Sequence, residues 1–235
     1  MLAHRGKSQP KRHAKPKHLI AVNPNQVWSW DTTYLKSPVK GIYYYLYLIE
    51  DIFSRMIVGW CIEEVESADH AAGLIEESCA RQSILRGQIH LHSDNGSPMK
   101  GAIMLAKLQT LGVMPSFSRP HLSDDNPFSE SLFKTLKYRP SYPGGAFASL
   151  REANEWVRRF VHWYNEEHLH SGIKFVTPAS RHQKKDKKIL ENRASVYELA
   201  KKLNPIRCSG STRNWSPITE VHLTKKINRQ MKMKC

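Results

Sequence analysis

The sequence has few cysteines, no long apolar run and hardly any acidic residues at its two ends. The four cysteines, Cys61, Cys79, Cys208 and Cys235, form no Cys-x-x-Cys pair and no zinc-module spacing with histidine, so we interpret them as thiols of a reducing cytoplasm. No apolar run reaches the roughly 18 residues of a membrane span, and no signal peptide pattern is present. We therefore expect a cytoplasmic protein without disulfides, structural zinc or membrane spans.

Positive charge is concentrated at the two ends of the chain. Of a net charge of +15, the first twenty residues supply six Lys/Arg and no acid, and residues 181–235 supply fifteen Lys/Arg and four acids. Basic ends beside a nearly neutral middle suit contacts with the phosphate backbone of DNA. Solvated tails without a ligand would have the same composition. We predict a basic N-terminal arm over 1–22, one core domain over 23–180, and a basic, partly ordered tail over 181–235.

The middle of the chain alternates between strand-like and helix-like patterns. Three strand-like runs come first, and the second of them is apolar on both faces, which predicts a sheet covered by helices on both sides. The order that follows predicts an α/β protein with a mixed five-stranded sheet. The predicted strands are Val27–Leu35, Ile42–Asp51, Arg55–Glu63, Ile89–Ser93 and Val113–Ser118. The predicted helices are Ala68–Arg81, Met99–Leu111, Leu150–His168 and one that Asn126 caps, with Pro127 in its first turn, running to about Tyr138.

Three acidic residues occupy positions where such a sheet would bring them together. Asp31 lies in the first strand, Asp94 ends the fourth, and Glu130 lies in the first turns of the Pro127 helix, with 35 residues between Asp94 and Glu130. Carboxylates are hard ligands suited to Mg²⁺ or Mn²⁺. Two such ions can activate an attacking oxygen and stabilise the leaving oxygen at a phosphorus atom. The pattern therefore predicts a metal site for phosphoryl transfer.

Each acid also has an ordinary structural interpretation. Asp31 could form a salt bridge, although burying it between tryptophans would be costly without a charged partner. Asp94 could belong to a turn that continues through Asn95 and Gly96. Glu130 and Lys134 could be a helical i,i+4 pair.

Three segments resemble insertion-sequence transposases whose core is similar to retroviral integrase. They are Trp-Ser-Trp-Asp-Thr-Thr-Tyr-Leu (28–35), His-Ser-Asp-Asn-Gly-Ser-Pro-Met (92–99) and the segment from Ser118 to Pro140 that contains Asn-Pro-Phe-Ser-Glu. The 35-residue interval between Asp94 and Glu130 is also similar to the spacing in that family. Later landmarks, such as His-Trp-Tyr-Asn (162–165), extend the resemblance to about residue 225.

The resemblance implies a ribonuclease-H-like fold and a two-ion Mg²⁺ or Mn²⁺ site. Asp31, Asp94 and Glu130 would be its metal-binding, catalytic residues. The reaction would be cleavage at transposon ends, then attack of the freed 3′-OH on target DNA, by a homo-oligomer on the nucleoid. Asp124 and Asp125 are rivals to Glu130, but we interpret them as loop or capping residues.

The same helix supplies candidate DNA contacts. Helical geometry places Lys134 and Lys137 on the same face as Glu130, away from an apolar face. A solvated charged face is the alternative. We also predict DNA contacts by basic residues before the helix and in the two ends: Arg119, Lys11, Arg12, Lys184 and Lys185.

The resemblance is incomplete at the start of the chain. Transposases of this group usually carry a helix-turn-helix region before the core, and only a short basic arm precedes it in this sequence. We therefore expect a truncated chain or one product of a split reading frame. Two alternatives to the enzyme remain: a non-catalytic DNA-binding fragment that modulates a full-length transposase, and a general nuclease of the same fold.

Overall fold

A mixed five-stranded sheet forms the centre of the structure. The computed structural model describes residues 18–94, 101–119, 125–207 and 210–224. The strand order is β4-β3-β2-β5-β6, in which β2, β3 and β4 are antiparallel neighbours while β5 and β6 run parallel to β2. The strands of this sheet are β2 (Val27–Lys36), β3 (Tyr43–Asp51), β4 (Ile57–Glu63), β5 (His90–Ser93) and β6 (Met114–Phe117). The predicted mixed five-stranded sheet is present.

Helices cover both faces of the sheet, as the two-sided hydrophobicity predicts. The helices are α1 (Ala68–Arg81), α2 (Ala102–Leu111), α3 (Pro127–Lys137), α4 (Leu150–Glu166), α5 (Pro178–His182) and α6 (Asp186–Leu203). Alternate residues of β2 face opposite sides. Trp28 and Trp30 pack with α1 and α2, whereas Leu35 packs with α3 and α4. This period of two follows from the pleat of a strand.

The boundaries differ from the predicted ones by small amounts with physical causes. The third strand begins at Ile57 rather than Arg55, since Arg55 has a φ of 68° in the left-handed region. The helix from Leu150 ends at Glu166, two residues before His168. Met99, the predicted start of α2, lies outside the described residues.

The C-terminal region contacts the core. Strand β7 (Val221–His222) pairs with β1 (Ile20–Ala21) in a small second sheet. Arg181 is fully buried and donates to the carbonyl oxygens of Phe53 and Ile218. The predicted limits of 1–22, 23–180 and 181–235 remain a prediction. Among the described residues, no helix is long and apolar enough to cross a membrane.

Candidate active site

The sheet face beneath α3 changes from apolar to polar along its width. Beneath the middle of α3 it presents leucines such as Leu46 and Leu48. Toward β5 and β6 the same face presents Ser29, Asp31 and His92, since Ser29 pairs with His92 in register. A sheet interior is usually apolar, so a buried polar row calls for bonding partners that satisfy it.

Asp31 lies near the centre of this polar row. Its Oδ1 accepts the backbone N–H of Thr32 at 2.8 Å. Burial, followed by the negative charge of Asp94, raises the pKa of Asp31 to about 7. Glu130 adds to the rise, while the Thr32 N–H and the Lys137 ammonium act against it. The charges of both other predicted acids, Asp94 and Glu130, therefore raise the pKa of Asp31.

Asp94 comes directly after β5, beside Asp31. Trp30 and Ser93 are paired in the parallel register, so Asp31 and Asp94 are the next residues of two strands that lie about 4.8 Å apart. This adjacency is what the strand assignment predicts. Asn95 and Gly96, the proposed turn, lie outside the described residues.

A hydrogen-bond network of Ser118 and His92 orients the Asp94 carboxylate. Ser118 Oγ donates to Asp94 Oδ1 at 2.8 Å. His92 Nε2 lies 3.0 Å from the Asp125 carbonyl oxygen and 3.2 Å from Ser118 Oγ, while Nδ1 lies 3.0 Å from Ser116 Oγ. A carbonyl can only accept, so the ring proton sits on Nε2 and Nδ1 accepts. Burial lowers the pKa of His92, which favours this neutral form.

The start of α3 is fastened to β2 by buried side chains. Ser29 Oγ donates to Asn126 Oδ1 at 2.6 Å and lies 2.6 Å from Ser129 Oγ. Asn126 Nδ2 donates to the Trp30 carbonyl oxygen at 3.4 Å. Asn126 does precede the helix, with Pro127 in its first turn, but its side chain makes no capping bond. The capping prediction for that side chain is wrong because the strand uses both of its polar atoms.

These contacts decide the position of Glu130. It follows Ser129 directly and is exposed, like Lys134 and Lys137, while Leu132 and Leu136 are buried. The predicted division of the helix into a packed face and a charged face is therefore correct. Partial burial lowers the pKa of Lys137, and Asp31 raises it.

The remaining predicted residues lie at different places. Arg119 Nε and Nη2 bind Asp125 at 2.9 Å each, and this pairing lowers the pKa of Asp125. Asp125 is thus a loop residue, as interpreted, whereas Asp124 lies outside the described residues. Lys184 and Lys185 are exposed just before α6. Lys11 and Arg12 also lie outside the described residues.

The donor set suits a hard cation, although the ligands are not assembled around one. Asp31, Asp94 and Glu130 are oxygen donors whose mutual repulsion a divalent ion would relieve. Within the described ranges, no group of three or more His, Cys, Asp or Glu side chains is arranged to hold a metal ion. The three carboxylates are therefore suitable ligands for a divalent ion, but they are not close enough together in this structure to surround one.

Sequence reasoning missed the residues that support the acids. Ser29, His92 and Ser118 are buried and polar, and none was predicted as part of a site. A signal was available for Ser29 and His92, where polar residues alternate with apolar ones as Ser-Trp-Asp and His-Leu-His. Alternation of this kind inside a covered sheet indicates a polar buried face.

Comparison with known proteins places these elements in a wider group. Two sequence profiles described as an integrase core domain match residues 21–123 and 111–178. The transposase for insertion sequence element IS904 of Lactococcus lactis is 31% identical over 159 residues, which are 67% of this chain. The chain spans 61% of the length of that relative.

Two solved structures share the fold. A chain of the simian T-cell lymphotropic virus intasome, solved in complex with PP2A regulatory subunit B56 gamma, superposes with a TM-score of 0.54 at 17% identity, covering 74% of this chain and 60% of that one. The catalytic core domain of BIV integrase gives a TM-score of 0.51 at 19% identity, covering 70% and 97%. The predicted ribonuclease-H-like fold is therefore confirmed.

Proposed function

The chain belongs to the integrase core domain family, and on that premise we propose that it is the catalytic part of an insertion-sequence transposase. Its reaction is metal-dependent cleavage of DNA followed by transfer of the freed 3′-OH to another strand. The observation that carries this proposal is the polar sheet face beneath α3, where the half-buried Asp31 lies beside Asp94 and within the electrostatic field of Glu130.

The reaction consists of two displacements at phosphorus. In the first, a water oxygen attacks the phosphodiester at the element end, the P–O3′ bond breaks, and a 3′-OH is released. In the second, that hydroxyl attacks a target phosphodiester, a new P–O bond forms, and the target 3′-oxygen leaves. Two bound Mg²⁺ or Mn²⁺ ions would supply activation of the attacking oxygen and charge for the leaving oxygen.

The protein residues have distinct roles in this scheme. Asp31 and Asp94 would hold the ions from two adjacent strands, and Glu130 would complete the set from α3. Ser118 fixes the orientation of Asp94 through the bond to its Oδ1. Lys134 and Lys137, on the Glu130 face of α3, would bind phosphates of the DNA. Exposed charges farther away, such as Lys184 and Lys185, would contribute affinity that depends on salt.

The assembly belongs to the same proposal. A strand-transfer reaction joins two element ends to one target, so two or more copies of the chain would act together on DNA in a homo-oligomer. The reaction would take place on the nucleoid in the cytoplasm. Lys11 and Arg12, together with Arg119, are proposed as further phosphate contacts.

A strand-joining assay with the purified chain tests the proposed function. Labelled duplex is incubated in Mn²⁺, and nicked and joined products are separated. We expect both products from the unchanged chain and neither from Asp31→Asn, because the amide cannot supply the carboxylate charge. Asp69→Asn, an exposed aspartate at the start of α1, serves as the matched control and should keep activity.

The outcomes separate the proposal from its alternatives. Nicking without joined product would identify a general nuclease of this fold. DNA binding without any product would identify a non-catalytic DNA-binding fragment that modulates a full-length transposase. Equal activity of Asp31→Asn and the unchanged chain would contradict the assignment of Asp31.

A further inference from the structure

Helix α6 carries exposed apolar side chains along one side. Val196, Leu199 and Leu203 are 55%, 58% and 70% exposed, and their spacing of three and then four residues places them on the same side of a helix. Ile206, in the turn that follows α6, is 97% exposed. We call these four residues the α6 stripe. None of them belongs to the predicted triad or to the predicted DNA contacts, so the stripe needs an explanation of its own.

A different side of α6 already packs on the body of the protein. Leu190 is buried in a cluster with Trp215, and the Tyr197 ring lies 5.3 Å from the Trp215 ring. Lys201 Nζ donates to the Gly210 carbonyl oxygen at 2.9 Å. These contacts hold the helix from one side only. Single exposed apolar residues are common, but a helix that is apolar on a second side usually has a neighbour there as well.

The spacing of the α6 stripe is that of a helix that pairs with another helix. In a coiled coil, apolar residues alternate between positions a and d of a seven-residue repeat and insert between the side chains of the partner. Val196 fits position a, Leu199 position d and Leu203 the next position a. Positions e and g lie beside this seam, and their charges select the partner.

The residues beside the seam are basic or neutral. Positions e and g hold Lys188, Arg193, Ser195, Ala200 and Lys202, of which three are cations and none is an acid. Arg193 donates to a backbone carbonyl oxygen at 3.0 Å, and its positive charge remains. A partner helix would therefore meet positive charge at both edges of the seam.

The acids of α6 do not offset this charge at the seam. Both exposed acids of the helix, Glu191 and Glu198, fall at position c, on the outer side of the repeat. Glu198 also accepts a hydrogen bond from Thr212 Oγ1. Asp186, at the start of the helix, is buried and paired with Arg181.

These charges argue against a partner helix from the same chain. A second copy of α6 would place cations or neutral groups, and no acid, against Arg193 and Lys202. The ends of the chain beyond the described residues, 1–17 and 225–235, contain Lys and Arg but no Asp or Glu. Opposite charges across an interface favour association and like charges oppose it. The α6 stripe is therefore complementary to an apolar helix with acidic edges.

We propose that the α6 stripe docks an amphipathic helix of another polypeptide whose apolar side is edged by Asp and Glu. The apolar side chains of that helix would cover Leu199 and Leu203, and its acids would pair with Arg193 and Lys202. The proposal goes beyond the proposed function, because the stripe includes no proposed metal ligand and no proposed DNA contact. Docking would attach a second protein to the C-terminal region while the acid site stays accessible.

Two synthetic peptides that differ only in their edge charges test the proposal. Both have about three heptads with Leu at a and d, and one carries Glu at every e and g position while the other carries Lys. Like charges at these positions keep each peptide from pairing with itself. Each peptide is labelled with fluorescein and titrated with the whole chain, and binding is followed by anisotropy. We expect the Glu peptide to bind about tenfold more tightly, with a preference that shrinks as salt is added.

Matched variants locate the binding on the α6 stripe. Leu199→Glu should weaken binding of the Glu peptide about tenfold, because it places a charge in the apolar seam. Leu85→Glu, at an exposed leucine outside the stripe, should keep the affinity of the unchanged chain. Lys202→Glu should reduce the preference for the Glu peptide, whereas Lys187→Glu, at an exposed position of α6 away from the seam, should preserve it.

The remaining outcomes overturn the proposal. Equal affinities of the unchanged chain for the two peptides would contradict the acidic partner, and an equal loss in Leu199→Glu and Leu85→Glu would contradict the site. Sedimentation velocity of the chain alone tests the second copy. A self-association that Leu199→Glu removes would show that another copy of this chain occupies the stripe. These assays contain neither DNA nor metal, so their failure is distinct from a failure of the strand-joining assay.

Discussion

Asp31, which is half-buried, and Glu50, which is fully buried, are two acids on one sheet face with different surroundings. They lie on neighbouring strands, where Asp31 stands opposite Leu48 and Glu50 stands opposite Ser29. Burial raises the pKa of Asp31 to about 7 and that of Glu50 to about 8. Burial raises the pKa of both acids, so the difference between them lies in the charged groups around each one.

The charged neighbour that most affects the pKa of Glu50 is a cation, whereas that of Asp31 is another acid. After burial, the largest influence on Glu50 is the cation of Arg55, which lowers its pKa, and Tyr164 adds a hydrogen bond in the same direction. The largest influence on Asp31 after burial is another acid, Asp94, which raises the pKa further. Arg55 thus opposes the effect of burial on the pKa of Glu50 without overcoming it, since that pKa stays at about 8. The cluster around Asp31 is short of positive charge, as a site for a divalent cation should be.

The largest expected effect is the change in folding stability with pH that Glu50 causes. Its folded-state pKa of about 8 lies above the ordinary 4.5, so between these values the folded protein holds a proton that the unfolded chain releases. The stability that Glu50 contributes is complete below about pH 4.5 and is lost as the pH rises through 8. In Glu50→Gln this loss disappears. Its stability relative to the unchanged chain should rise by up to about 1.4 kcal/mol per pH unit between pH 5 and 8.

Urea unfolding at each pH measures this difference. Glu166→Gln, at an exposed position near the end of α4, is the control, and its difference from the unchanged chain should stay flat. A flat difference for Glu50→Gln as well would mean that Arg55 keeps Glu50 ionised throughout the range. Glu50 would then be an ionised acid paired with Arg55, and its difference from Asp31 would be larger.

A smaller effect is expected from Mg²⁺, which should stabilise the folded protein through Asp31 but not through Glu50. At a Mg²⁺ concentration a hundred times its dissociation constant, binding to the folded state stabilises the protein by about 2.7 kcal/mol. We expect the melting temperature to rise with Mg²⁺ in the unchanged chain and in Glu50→Gln, and not in Asp31→Asn. Differential scanning calorimetry with and without EDTA measures the rise. An equal rise in Asp31→Asn would remove Asp31 from the metal site.

Local patterns predicted the sheet and the approximate positions of the acids. The second strand-like run, apolar on both faces, predicted a sheet covered by helices on both sides, and the register of β2 with β5 places Asp94 beside Asp31. Spacing on α3 was equally informative, because a helix has a fixed angle per residue. These features depend on residues close to one another in the sequence.

Contacts between distant segments were not predictable in this way. Ser29 bonds to Asn126 across 97 positions, and Arg181 reaches Phe53 across 128. Arg55 was placed inside a strand, since nothing local indicates its left-handed φ of 68°. The fold chooses these partners by bringing remote segments together. The contacts that support the candidate site therefore emerged only from the structure.

The smallest expected effect tests whether the network behind Asp94 positions a metal ligand. Ser118 Oγ donates to Asp94 Oδ1 at 2.8 Å, and His92 Nε2 lies 3.2 Å from the same hydroxyl. Removing a hydrogen bond to a ligating carboxylate typically weakens metal binding by about tenfold or more. In Ser118→Ala we therefore expect the Mg²⁺ concentration for half-maximal strand joining to rise about tenfold. Ser116→Ala, which affects only the far nitrogen of His92, should cause a smaller rise.

The dependence on metal concentration separates positioning from simple structural damage. If Ser118 orients Asp94, saturating Mg²⁺ fills the weakened site, so the strand-joining rate should return to that of the unchanged chain. If the hydroxyl only supports the packing between β5 and β6, the rate should fall at every metal concentration and the melting temperature should fall with it. An unchanged half-maximal concentration would mean that the backbone of β5 alone positions Asp94. In Glu50→Gln the Mg²⁺ concentration for half-maximal strand joining should equal that of the unchanged chain. Glu50 lies beside Arg55 and is not a proposed metal ligand.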